Sequence, residues 1–171
     1  MDICVMSRKE ALRWFGMGHE DAIEPMTAII SIATPGPFCG TMDPVEFDEG
    51  SLLAVLPLRF GDVMPGEEGA MTEEQAQEIV RFVGKMASRG MEHLVVHCDG
   101  GVSRSAGVAA ALGDILGLGD GFVFDDPWKC PNMGCYRKVL RAGRVPITEE
   151  EILAKERHNE EIWHAAHAED S

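Results

Sequence analysis

Long apolar runs are missing from this 171-residue chain. No stretch of roughly 18 apolar residues occurs, so no segment is expected to cross a bilayer as a helix. The start, Met1-Asp2-Ile3-Cys4, has neither the basic region nor the apolar region of a secretory leader. Positive charge is also scarce: 15 Lys and Arg face 29 Asp and Glu, for a formal charge of −14. That balance disfavours nonspecific contact with nucleic acid or anionic lipid, because phosphate repels it. Much of the negative charge gathers between Glu149 and Asp170. The five cysteines are odd in number and form no C-x-x-C pair. A disulfide framework or a structural zinc site is therefore not expected, and a reducing, cytoplasmic setting suits them. Nine prolines, 26% charged and 45% hydrophobic residues argue against disorder and for a packed core.

Strand and helix signals alternate along the chain. Ile3 to Met6 reads as a short edge strand. Ser7 with Glu10 forms an S-x-x-E capping box, which predicts a helix from Arg8 to about Phe15. Ala28 to Ile32 reads as a buried strand stopped by Pro35-Gly36-Pro37, Cys39 to Gly50 as loop, and Leu52 to Leu58 as the next strand. Arg59 to Gly66 is turn-rich. Thr72 with Gln75 opens a second helix, in which Ala76, Ile79, Val80, Val83 and Ala87 repeat at helical spacing, and Gly90 ends it. Leu94-Val95-Val96-His97 reads as a central strand covered on both faces. Ser105 to Leu116 is a small, apolar helix, and Gly117 to Trp128 reads as loop. Asn132 to Ala142 is another helix, and Thr148 with Glu151 caps a polar one reaching about His167. The expected architecture is α/β: a mainly parallel or mixed sheet flanked by helices on both faces. One domain over residues 1–171 is expected, with a motif-bearing core at about 52–144 and a polar C-terminal helix within 145–171.

The chemically informative stretch is Val95-Val96-His97-Cys98-Asp99-Gly100-Gly101-Val102-Ser103-Arg104-Ser105. It joins a buried strand to a helix. Such a unit aims main-chain N–H groups and a helix N-terminus at one spot, which makes an anion site. Gly100 and Gly101 permit backbone angles that side chains forbid. Asp99, Gly100, Gly101, Val102, Ser103 and Arg104 are each expected to offer an N–H to phosphate oxygens. A cysteine beside a helix N-terminus and a guanidinium favours the thiolate, the nucleophilic form. Arg104 brings a planar fork that can hold two oxygens at once, which Lys cannot do.

His97-Cys98-x5-Arg104-Ser105 resembles the signature of the protein tyrosine phosphatase superfamily. With Gly101, Val102 and Ser103 it is similar to the dual-specificity branch, and the compact array looks like small prokaryotic and phage members. The match departs at Gly100, where Ala is usual. The resemblance implies that Cys98 attacks phosphorus and that Asp62, on the loop before the second long helix, is the general acid. It further implies that Ser105 donates to the sulfur, that His97 packs to shape the loop, and that Asn132 braces it. Pro131 to Cys135 is similar to the Asn-x-Gly-Phe stretch after the signature loop, with Cys135 where Phe is usual. No cofactor or metal is implied. The implied partner is a phosphorylated protein or peptide, with phosphate or another oxyanion in the loop.

Other phosphatases of this fold act on RNA 5′-phosphates or on phosphoinositides. Net charge disfavours the first. The absence of Lys from the loop, with Asp99 adding negative charge, disfavours the second. A catalytically inactive phosphoprotein-binding module and a rhodanese-type sulfurtransferase are further alternatives. Neither is expected, since the chemical roles are filled and the sulfurtransferase loop is shorter. Gly117, Gly119 and Gly121 imitate part of a dinucleotide fingerprint but follow a helix, so they read as loop. His158, His164 and His167 read as a solvated helix face, and Cys130 and Cys135 as unpaired thiols rather than a redox pair.

Overall fold

The structure is a computed structural model and describes residues 1–17, 26–36 and 46–168. The elements in chain order are β1 (Asp2–Ser7), α1 (Arg8–Phe15), β2 (Thr27–Ala33), a 3-10 turn (Glu49–Ser51), β3 (Ala54–Arg59) and α2 (Glu73–Ser88). They continue with β4 (His93–Cys98), α3 (Arg104–Ile115), α4 (Gly121–Phe124), α5 (Met133–Ala142) and α6 (Glu149–His167).

The four strands form one sheet in the order β1-β4-β2-β3, and every pairing is parallel. Among the described residues the sheet is thus wholly parallel rather than mixed. β4 lies inside, with Val95 opposite Cys4 on one side and Ile29 on the other. That placement accounts for its unbroken apolar run, since an inner strand covered on both faces has no solvent side. β1 takes the edge.

Strand alternation divides the core in two. Ala28, Ile30, Ile32, Leu94 and Val96 point to the face packed by α2, α3 and α5. Ile29 and Val95 point to the opposite face, where Ala11 of α1 and Phe47 cover them. The three capping boxes at Ser7, Thr72 and Thr148 all form, each with its reciprocal Glu or Gln bond.

Two segments differ from the pattern reading. Gly117 to Trp128 is not loop throughout: Gly121–Phe124 makes the single turn α4, which buries Val123 and Phe124. Four residues are too few to register as a helical period. The strand expected from Leu52 begins at Ala54. Most of the expected loop from Cys39 lies outside the described residues.

α3 is packed all round. Ser105 and Ala106 through Leu112 are fully buried. Its small side chains let neighbours approach closely: a Cβ on Gly107 would fall 2.3 Å from the Asn132 carbonyl oxygen. This contact sets α5, and the segment leading into it, against the first turn of α3. The functional loop lies at that junction.

Candidate active site

The strand-to-helix loop runs from Cys98, the last residue of β4, to Arg104, the first of α3. Parallel sheets place such loops at the carboxyl ends of their strands, where ligands bind. Gly101 has φ +68°, and a Cβ there would sit 2.4 Å from the Ser7 nitrogen. Only glycine fits, because the loop turns back against the end of β1. Gly100 has no such demand. Its nearest neighbour to an added Cβ is 4.0 Å away, so the alanine usual in the resembling family would fit as well.

Cys98 is buried, at 3% exposure. Its Sγ lies 3.1 Å from the Ser105 hydroxyl and accepts from the Gly101 N–H at 3.3 Å. Of the six N–H groups expected to face phosphate, Gly101 therefore serves the sulfur instead. The N–H groups of Gly100, Val102 and Ser103 have no acceptor among the described residues.

Arg104 is buried at 4% exposure. Its Nη1 donates to the Phe60 carbonyl at 2.9 Å and its Nη2 to Asp99 Oδ2 at 2.8 Å. Arg104 Nε is buried without a partner, and so is Asp99 Oδ1. Buried polar atoms are nearly always satisfied; Arg104 Nε is a donor that an anion oxygen could satisfy, whereas Asp99 Oδ1 is an acceptor that an anion could not. The Asp99 carboxylate also accepts from the Thr34 hydroxyl. Burial pushes its carboxyl up, but the bonds from Thr34 and Arg104 and the Arg104 charge outweigh this and hold it below the usual range. Sequence reading assigned Asp99 a main-chain role and a repulsive charge. In the structure that charge is committed to Arg104. The pairing is not legible in sequence, because the partners meet only after the loop has turned.

Asp62 is brought to the same loop from the segment after β3. Its Oδ1 accepts from the Ser103 hydroxyl at 2.8 Å and from Asn132 Nδ2 at 3.0 Å. Asn132 also donates to the Val63 carbonyl at 3.0 Å, and its Oδ1 caps α5 by accepting from the Cys135 N–H at 3.0 Å. One side chain thus ties the Asp62 segment, α5 and the signature loop together. The Asn132 N–H reaches Ser103 O at 3.0 Å and the Cys130 N–H reaches Val102 O at 3.1 Å. Lys129 Nζ donates to Gly101 O at 2.9 Å, a brace the sequence reading missed. Phe60, through its carbonyl, was missed too, since backbone acceptors leave no residue-type signal.

His97 lies against the start of this loop, its Nδ1 3.4 Å from the Cys98 carbonyl oxygen. Its Nε2 bonds the Ser31 hydroxyl at 2.7 Å, and its ring meets Phe47 edge-on at 5.7 Å. Burial drives its pKa down to about 4, so it is neutral and packs beneath the loop. Cys135 is buried beside α3, and burial pushes its thiol up to about 12. Cys130 is exposed, and its thiol is raised as well, by partial burial and by the nearby Asp62 charge. Among the described residues no group of three or more His, Cys, Asp or Glu could hold a metal ion, and His158 bonds Asp125 while His167 stacks on Trp163. No described helix is long and apolar enough to cross a membrane.

No family model and no curated protein matches this chain. Among solved structures it is similar to the human tyrosine phosphatase-like serine/threonine/tyrosine-interacting protein, at 19% identity over 71% of this chain and 78% of that one, with a TM-score of 0.45. It is also similar to Tk-PTP in its active form, at 19% identity over 93% and 90% of the two chains, with a TM-score of 0.42. A third similarity is to PTPMT1, at 19% identity over 84% and 81%, with a TM-score of 0.35.

Proposed function

We propose that this chain is a cysteine-dependent phosphomonoester hydrolase acting on phosphorylated proteins. One arrangement carries the reading. Cys98 Sγ sits under Ser105 and the Gly101 N–H, while a buried Arg104 with an unpartnered Nε and the Asp62 carboxylate are fixed to the same loop.

The phosphoryl oxygens bind the unclaimed N–H groups of Gly100, Val102 and Ser103 and the Nε edge of Arg104. That places phosphorus over the sulfur. Cys98 Sγ attacks, the S–P bond forms and the bond from phosphorus to the substrate oxygen breaks. Asp62, protonated, gives its proton to the departing oxygen, a contribution worth roughly 10²–10⁴ in rate. Water then attacks the phosphocysteine. Asp62, now a carboxylate, takes the proton of that water, and the sulfur leaves as a thiolate stabilised by the Ser105 hydroxyl and the Gly101 N–H. Arg104 and the loop amides hold the charge of the transferring group in both steps.

Protein phosphate esters suit the loop better than the other substrates of this chemistry. The loop holds no lysine to grip a polyphosphorylated ring, and the −14 charge works against RNA. The test is Cys98→Ser with an aryl phosphate. Turnover is expected to fall by at least about 10⁴-fold, as when a catalytic nucleophile is removed. Brief acid quench of the wild type should trap phosphate on Cys98. Substantial hydrolysis by Cys98→Ser would rule out the mechanism.

A further inference from the structure

Beside the signature loop lies a second concavity, of about 600 Å³, open to solvent. Two loop residues, Gly100 and Val102, form part of its wall, so it adjoins the loop. The rest comes from Ser7, from Lys9, Glu10 and Arg13 of α1, and from Trp128 and Lys129. Among the described lining residues this is a local reversal of sign on an acidic protein: three cations face one carboxylate.

The carboxylate among them keeps its charge but is fixed in place by a cap. Glu10 accepts from the Ser7 N–H and the Ser7 hydroxyl at 2.7 Å each, as the reciprocal half of the α1 capping box. The cations are less committed. Lys9 and Arg13 stand four residues apart, on one face of α1. Both are exposed, and neither is in an ion pair among the described residues. Arg13 lies over the Trp14 ring at 5.9 Å. Lys129 is held in place by its bond to Gly101 O.

Trp128 is the aromatic wall. It is 62% exposed, among the most exposed large apolar side chains described. Yet it is not loosely placed. Its ring meets His167 edge-on at 4.7 Å, and His167 stacks on Trp163 at 4.1 Å. The residues that follow it are stitched to the loop through Lys129 and Cys130. Trp128 thus packs on α6 through His167 and still leaves most of its surface to solvent, on the wall of a cleft that Gly100 and Val102 of the loop also line.

We infer that this cleft selects acidic phosphopeptides, with Lys9 and Arg13 binding carboxylates that flank the phosphoresidue and Trp128 packing on the peptide's side chains. The inference rests on the proposed phosphatase reading and specifies its substrate. Peptide is favoured over RNA because the remaining surface repels a polyanionic backbone, while a short acidic segment needs only this local patch.

The experiment measures kcat/KM on three phosphopeptides that share a phosphoresidue and differ only in acidic, neutral or basic flanks. A small aryl phosphate, too short to reach the cleft, and a 5′-phosphorylated oligonucleotide complete the panel. Wild type is compared with Lys9→Glu/Arg13→Glu. The acidic peptide is expected to be the best substrate. In the double variant its kcat/KM should drop by about three- to tenfold, the range for two exposed charge contacts, with the loss in KM. Aryl phosphate turnover should stay within about twofold. Raising salt should erase the acidic preference of the wild type, since exposed pairs are screened. Equal rates on all three peptides would overturn the inference while leaving the phosphatase reading intact. A preference for the oligonucleotide that the double variant loses would overturn it in favour of nucleic acid. Failure of the wild type on aryl phosphate would instead remove the phosphatase reading.

Discussion

Helix α3 carries a polar cluster at each end. At its N-terminus Arg104 meets Asp99, and Asp62 meets Ser103 and Asn132. Toward its C-terminus Asp114 meets the Tyr136 hydroxyl at 2.8 Å. The same hydroxyl lies 3.0 Å from Asp120, which Lys155 neutralises. The second cluster joins α3, α5 and α6, and Tyr136 is completely buried within it. None of its buried polar side-chain atoms is without a partner, whereas the first leaves Arg104 Nε and Asp99 Oδ1 open. A closed cluster can only hold elements together. The first cluster still has a buried donor and a buried acceptor unpaired, which is the difference the proposed function builds on.

Their electrostatics also run in opposite senses. Asp99 is held below the usual carboxylate range, so its contribution to stability is present at neutral pH and is lost as pH falls through its lowered value. Asp114 is held above that range, by burial first and by the neighbouring Asp120 charge. Its contribution is fully present in acid and is lost as pH rises through its raised value. Tyr136 is pushed upward by burial and by its bond to Asp114, so it stays a phenol and a donor.

The comparison is broken most directly at Asp62. Asp62→Asn keeps an oxygen for Ser103 and Asn132 but cannot give a proton. Aryl phosphate kcat is expected to fall by about 10²–10⁴, with the melting temperature unchanged. A parallel loss of stability would make Asp62 a brace like those of the distal cluster.

His97 sharpens it next. The folded state keeps this imidazole neutral down to pH about 4, while the unfolded chain protonates it near 6.5. Its stability contribution is therefore full above 6.5 and is lost as pH falls toward 4. By pH 5 the wild type should lose roughly 2 kcal/mol relative to pH 7 from this group. Urea unfolding at the two pH values measures it, and His97→Gln should flatten the difference.

Tyr136→Phe probes the closed cluster. It removes the hydroxyl shared by Asp114 and Asp120 and should cost about 1–3 kcal/mol in urea unfolding. Turnover of aryl phosphate should stay within about twofold. A large change in kcat would show that the two ends of α3 are coupled.

Gly100→Ala is expected to have the smallest effect. The site has room for the methyl group. Reduced freedom of the unfolded chain should raise stability by about 0.4–1 kcal/mol, visible as a small rise in melting temperature with activity retained. The same change at Gly101 meets the Ser7 backbone and a positive φ, so it should disrupt the loop.

The element plan was legible in sequence because its signals are local. Capping boxes span three residues, the apolar period of α2 spans a few turns, and Val95 and Val96 declare a covered strand. The four-residue α4 gave too short a pattern to read. Cys98, Arg104 and Ser105 were legible because one loop supplies them all at fixed spacing. Asp62 and Asn132 were reachable only through the resemblance, and Thr34, Phe60 and Lys129 not at all. They act from distant segments, and two of the three bonds run through backbone oxygens that every residue possesses.

Sequence alone determined that a cysteine and an arginine close a glycine-bearing turn between an inner strand and a buried helix, since covalent spacing and local backbone freedom decide that much. Tertiary structure decided which charges meet. It set Asp99 on Arg104, Asp62 on Ser103 and Asn132, and Lys9 and Arg13 beside Trp128. Electrostatic and hydrogen-bond energies depend on distance and burial, and neither exists until parallel strands and close-packed helices have brought remote segments together.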